Sequence, residues 1–137
     1  MNPPAADGTP GSGRPVDGDQ PVAVTPAAAR HSVAALLERA GISLDSVIAA
    51  DALMVTTELV TNAVRHGGGL TLFRVAITEG TLHLSVGDAS SRTPAARPRT
   101  RASPGGYGWP LIQQLADHIA ITPLPDGKII NAALRLA

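Results

Sequence analysis

The stretch "VTTELVTNAVRHGGG", residues 55–69, decides how this chain is read, because it sets an acid, Glu58, and an amide, Asn62, four residues apart in an apolar segment that three glycines then end. At about 100° per residue, Ile48, Ala52, Val55, Leu59 and Ala63 fall in one arc of a helix, while Leu53, Val60 and Val64 fall in another roughly opposite. The pattern predicts a helix covered on two sides. Glu58 and Asn62 stand about 40° apart at the edge of the first arc, with Asp51 between them and Arg65 and His66 on either side. Such a border is either a solvated stripe joined by an i, i+4 hydrogen bond or a pair aimed at something bound, and the rest of the chain has to choose.

After the glycines, "LTLFRVAITEGTLHLSVGDASS" (70–91) alternates with a period of two on both sides of a "TEG" turn, which predicts an antiparallel hairpin. Leu82, Leu84 and Val86 share one face of the second strand, and the same parity puts Asp88 at the end of that core-facing row. A carboxylate there needs a partner, since leaving it unpaired costs on the order of several kcal/mol. It can sit at a pocket mouth, cap the following "ASS" amides, or accept hydrogen bonds from a ligand.

The segment 91–110, "SRTPAARPRTRASPGGYGWP", has three prolines, four arginines and no apolar period ahead of its glycines, and it reads as a long irregular loop of the kind that is usually functional. Gly105, Gly106 and Gly108 then precede a helix expected over about Pro110 to His118, with Leu111, Ile112 and Leu115 on its buried side. Glycines at a helix start let backbone approach an anion while the free amides and the helix dipole favour negative charge, though a plain turn uses the same residues. The chain closes with a hairpin around "PDG" that returns Ile119 to Thr122 and Lys128 to Leu136 to the sheet.

Upstream, Val22 and Val24 alternate like a short edge strand. Thr25 followed by Pro26 is an N-cap with proline at N1, and a first helix is expected from Pro26 to Ala40 with Gly41 as its C′ residue. Residues 1–19 combine Pro, Gly, Ser and Asp with almost no large apolar side chain, which predicts a disordered tail ahead of one domain over 20–137.

Composition excludes several functions. Eleven basic and eleven acidic residues cancel, so no broad positive field is available to hold nucleic acid or an anionic membrane. Cysteine is absent, which removes disulfides, thiolate catalysis and cysteine-bound metals together. No signal peptide or long apolar span is apparent, and a cytoplasmic protein is expected. Ten arginines against one lysine, with abundant Ala, Gly and Pro, suit a GC-rich bacterial genome.

Taken together, "ELVTNAVRHG", "VGDASS" and "GGYGWPLIQQLAD" resemble the N box and the two glycine boxes of the Bergerat-fold (GHKL) ATPases, the superfamily that includes gyrase and the histidine kinases. The resemblance covers about residues 22–136 and is nearest to the short branch of anti-sigma factor serine kinases and stand-alone ATP-binding regulators common in actinobacteria. It implies a two-layer α/β sandwich, with a mixed, mostly antiparallel sheet covered by helices on one face. It also implies ATP and Mg²⁺ as cofactors. Asn62 would hold the metal, and Glu58 would be the general base toward a serine hydroxyl or water. Asp88 would accept from the adenine amino group, Gly106 and Gly108 with the Leu111 amide would shape the phosphate loop, and Arg92 to Arg101 would form the lid. Arg65 and His66 would contact the same cofactor or else pack or pair within the fold.

The implied function is that of a protein serine kinase that sequesters a sigma factor and phosphorylates a STAS-type anti-anti-sigma partner. The alternative is a nucleotide-binding regulatory module without catalysis. A homodimer through the sheet or the first helix is compatible with either. The helical hairpin that carries a histidine kinase's phospho-acceptor is not expected within this length, and His31 is not a credible substitute. Three departures from the family pattern stand out. Asp88 is followed by Ala89, Ser90 and Ser91 rather than by glycines in the usual spacing. The arginine of the second glycine box is replaced in the run Gly106, Tyr107, Gly108, Trp109. Asn131 stands where many short relatives carry tryptophan.

Overall fold

A computed structural model describes residues 24–92 and 108–136. The elements run α1 (Pro26–Arg39), α2 (Val47–Arg65), β1 (Leu70–Thr78), β2 (Thr81–Asp88), α3 (Gly108–Leu115), β3 (His118–Leu124) and β4 (Gly127–Arg135). The described strands form one sheet in the order β1-β2-β4-β3, each neighbouring pair antiparallel. The sequence-based expectations for the tail, for Val22, for most of the lid arginines and for Gly105 and Gly106 fall outside the described residues. Val24 is described and is not in a strand.

Local chemistry sets the helix ends. The Thr25 hydroxyl accepts from the Ala28 amide at 3.0 Å, and the Ser46 hydroxyl accepts from Ala49 at 3.2 Å, so each helix begins on a capped amide. At the end of α1, Gly41 takes φ +82°, its amide donates to Glu38, and Ile42 donates to Leu37. This Schellman pair satisfies two carbonyls that the helix leaves open and turns the chain toward α2.

The core lies between the helices and one face of the sheet. Ala29, Val33, Leu36 and Leu37 of α1 meet α2, which packs in turn on β1 and β2 through Val55, Leu59, Val60 and Ala63. The sheet contributes Phe73 and Val75, then Leu82, Leu84 and Val86, then Ile130, Ala132 and Leu134. Helix α2 therefore buries one continuous arc of about 140° rather than two opposed ones, and Val64 from the supposed second arc is half exposed. The physical reason is that α1 and the sheet meet along a seam, so Thr56 and Ala49 fill the gap between the expected stripes. Thr56 can be fully buried because its hydroxyl donates to the Ala52 carbonyl at 2.8 Å.

Two turns fix the register. Glu79 and Gly80, at φ 52° and 74°, make a two-residue hairpin loop with both central residues left-handed, the twist that matches the flanking strands. At the other end of that hairpin the pairing slips between Leu70 and Leu72, a bulge that leaves Leu70 opposite Asp88. Among the described strands, β3 forms the sheet's outer border beside β4 and carries Pro123 within it.

The third helix corrects the sequence reading. It starts at Gly108 and ends at Leu115, while His118 opens β3 by pairing with Ala133. Pro110 is tolerated in the first turn because the amide it lacks has no intrahelical acceptor there. Past Leu115 the Asp117 amide donates to Ala133 at 2.8 Å, so the sheet captures the backbone before another helical turn forms.

Candidate functional site

Asp88 ends β2 on the core-facing side and is 5% exposed. Two in-chain partners hold it. Its Oδ1 accepts from the Ser90 amide at 2.9 Å, closing a local turn, and Lys128 Nζ stands 3.0 Å from Oδ1 and 2.9 Å from Oδ2. The same ammonium donates to the Ser90 carbonyl at 3.1 Å. Lys128 is itself 5% exposed and lies directly opposite Asp88 in the β2–β4 ladder. Such a pair is tolerable in a low-dielectric setting only when the charges match and the remaining polar atoms are bonded, as they are here. The turn-capping role and an ion pair thus both supply partners to this carboxylate.

Bare backbone surrounds the same group. A Cβ placed on Gly67 would stand 2.6 Å from Asp88 Oδ2, and one placed on Gly127 would collide with the Asp88 carbonyl oxygen. The Ala89 amide donates to the Gly67 and Gly69 carbonyls at 2.9 and 3.2 Å, which ties the glycine loop after α2 to the end of β2. The end of α2 and the end of β2 are therefore joined directly.

Glu58 and Asn62 sit one turn apart on α2, both half-buried, and no hydrogen bond links them. Both point at the start of α3. A Cβ on Gly108 would run into Glu58 Oε1 and lie 3.5 Å from Asn62 Oδ1. Gly108 is buried, so the missing side chain is what allows the α3 terminus to close over the acid and the amide. An amide oxygen beside a helix start is a suitable neutral ligand for a hard cation that brings its own anionic oxygens.

The other expected residues are less central. Arg65 ends α2 and is exposed. His66 caps that helix through its backbone amide to Asn62 O at 2.8 Å, and its side chain is exposed. Leu111 is half-buried in α3, and Arg92 is exposed at the edge of the described residues. Gly106 lies outside them. Asn131, which departs from the family pattern, faces away from the helices and accepts from the Ser85 hydroxyl at 2.6 Å across the paired strands.

Lys128 is the residue that sequence reasoning missed. A signal was present: it is the one lysine in the chain, and it shares parity with Ile130, Ala132 and Leu134 in the core-facing row of β4. What parity alone does not give is the alignment of β2 against β4 that brings it to Asp88.

Known proteins agree with this architecture. No curated protein matches the sequence. Among solved structures, the fold is similar to the histidine kinase domain of the Erythrobacter litoralis blue-light activated histidine kinase, with a TM-score of 0.51 and 19% identity over 81% of this chain. The match spans 60% of that solved chain's length, and at this identity the likeness is one of fold. Over residues 21–134 the sequence matches the histidine kinase-like ATPase domain, and the chain belongs to that family.

Proposed function

We propose that the protein is a Mg-ATP-binding regulator of the anti-sigma type, acting in the cytoplasm as a serine kinase on an anti-anti-sigma partner while it sequesters a sigma factor. The observation that carries this reading is the convergence of the Glu58 and Asn62 side-chain oxygens on the bare backbone of Gly108 at the start of α3. The residues at the start of α3 fit the cofactor. Asn62 is the side chain that would hold Mg²⁺. The described residues contain no cluster of three His, Asp or Glu, so the phosphates would supply the anionic ligands. When bound, the metal neutralises charge on the phosphates. Glu58, beside the same helix start, would accept the proton of an incoming serine hydroxyl, and Asp88 would accept from a base amino group.

Calorimetric titration with Mg-ATP, followed by incubation of the protein and ATP with candidate anti-anti-sigma proteins, tests the proposal. Binding, phosphate transfer, and loss of transfer in Glu58→Ala are the expected results. Failure to bind ATP sinks the whole reading, and binding without transfer to any candidate removes the kinase part. The second reading, a nucleotide-binding module that acts by protein contact alone, draws support from Asp88, whose carboxylate is already engaged by Lys128 and Ser90. It fails if wild-type turnover appears and vanishes in Glu58→Ala at unchanged ATP affinity.

A further inference from the structure

Helix α2 carries a second row of side chains on the side turned away from the core. Its buried residues, from Ala49 to Ala63, centre on one direction of the helix, and Val47, Ala50, Met54, Thr57, Thr61 and Val64 centre on the opposite one. The outward pole of a surface helix ordinarily collects charged residues, yet this row has none. Val47 is 78% exposed, Met54 44% and Val64 50%, so the row lies open. The Thr57 hydroxyl donates to the Leu53 carbonyl at 2.8 Å and brings no free donor to it. Steps of three and four residues alternate over about 25 Å, the spacing by which one helix receives another along a seam. Two flanks bound the row: Arg30 of α1 reaches the Thr57 hydroxyl at 3.4 Å on one side, and Asp51 and Glu58 run along the other, toward the start of α3.

We propose that this row is a docking seam for an amphipathic helix of another protein, one with an apolar ridge and with basic residues along the flank that meets Asp51 and Glu58. The seam does not depend on the nucleotide reading above. A contiguous apolar strip on a surface marks a contact site, and heptad spacing makes a helix the shape that fits it. Charge then decides which helix. Two acids on one flank select basic residues opposite them. They also disfavour a second copy of this chain: in the antiparallel pairing that sets Val47 against Val64 and Met54 against Thr57, Asp51 of one copy lies beside Glu58 of the other, and two-fold symmetry repeats the repulsion. An anionic membrane surface is disfavoured by the same two carboxylates, since helices that lie on such surfaces flank their apolar face with lysine and arginine.

The probes are a helical peptide of about three heptads, with leucine on its ridge and lysine on its flanks, and a twin with glutamate in place of lysine. Each carries a fluorophore, and anisotropy is followed as the full chain is added, at peptide concentrations where sedimentation shows the peptides to be monomeric. The lysine peptide is expected to bind about tenfold tighter than its twin. Met54→Gln/Val64→Gln should weaken that binding by about tenfold while circular dichroism and the urea midpoint stay unchanged, because both side chains are exposed. Asp51→Lys should reverse the preference between the two peptides, which a merely apolar surface would not do. No saturation by the lysine peptide, equal binding of the twins, or indifference to Met54→Gln/Val64→Gln overturns the proposal. So does a wild type that sediments as a dimer and becomes a monomer in Met54→Gln/Val64→Gln, because the row then receives a second copy. Should the double variant fail to fold, Ala50→Gln, in the same row, takes its place with the same expected loss. A chain that binds no ATP leaves this seam standing, and a chain that ignores the lysine peptide leaves the nucleotide reading standing.

Discussion

Gly127 and Gly108 both lie where a Cβ would collide with a site residue, but they meet different atoms. At Gly127 the obstacle is the Asp88 carbonyl, a backbone oxygen locked into two strands, whereas at Gly108 it is Glu58 Oε1, the far end of a rotatable side chain. The same contrast extends to the two ends of the site. The Asp88 end is built from backbone packed on backbone and a carboxylate held by Lys128 and Ser90. The Glu58 and Asn62 end is made of half-buried side chains facing a helix start. The first is organised as part of the fold, and the second rests on side chains that can rotate.

The largest effect that can break this contrast comes from Asp88→Ala, which leaves the Lys128 ammonium buried without a counter-charge. It should cost about 3–5 kcal/mol of stability in urea denaturation, and Asp88→Asn/Lys128→Met should recover most of that loss. A single variant as stable as wild type means that the pair is not desolvated. Gly127→Ala comes next, at about 2–3 kcal/mol, because a backbone oxygen has nowhere to turn. Gly108→Ala should cost less than about 1 kcal/mol by the same measurement, since the Glu58 carboxylate can swing away, yet it should lower the metal-dependent part of ATP binding by about tenfold through misplaced site groups. Equal destabilisation by the two glycine substitutions abolishes the distinction between the ends. The smallest effect, from a position remote from both, is Thr25→Ala, which removes the α1 cap and should cost about 1 kcal/mol without touching nucleotide affinity.

These expectations also show why some of the molecule was readable in advance and some was not. Helix α1, with its Thr25 cap and Gly41 stop, and the hairpin turning at Glu79 and Gly80, are specified by neighbours within a few residues, so their chemistry is written locally. Asp88 facing the core followed from strand parity in the same way. The extent of α3 did not, because the residues after Leu115 obey the β4 ladder some sixteen positions further on, as the Asp117–Ala133 hydrogen bond shows. The second apolar stripe of α2 dissolved for a related reason: periodicity tells which residues avoid water but not whether one neighbour or two will cover them. Lys128 is the strongest case, since its role depends on an alignment between strands separated by α3 and β3.

Pro123 has a consequence for how the molecule ends. It lies in β3, at the border of the sheet among the described strands, and a proline there removes one of the amides that an incoming chain would need to extend the ladder. Strand-by-strand growth from that side of the described sheet meets a missing rung, which disfavours an ever-widening ladder.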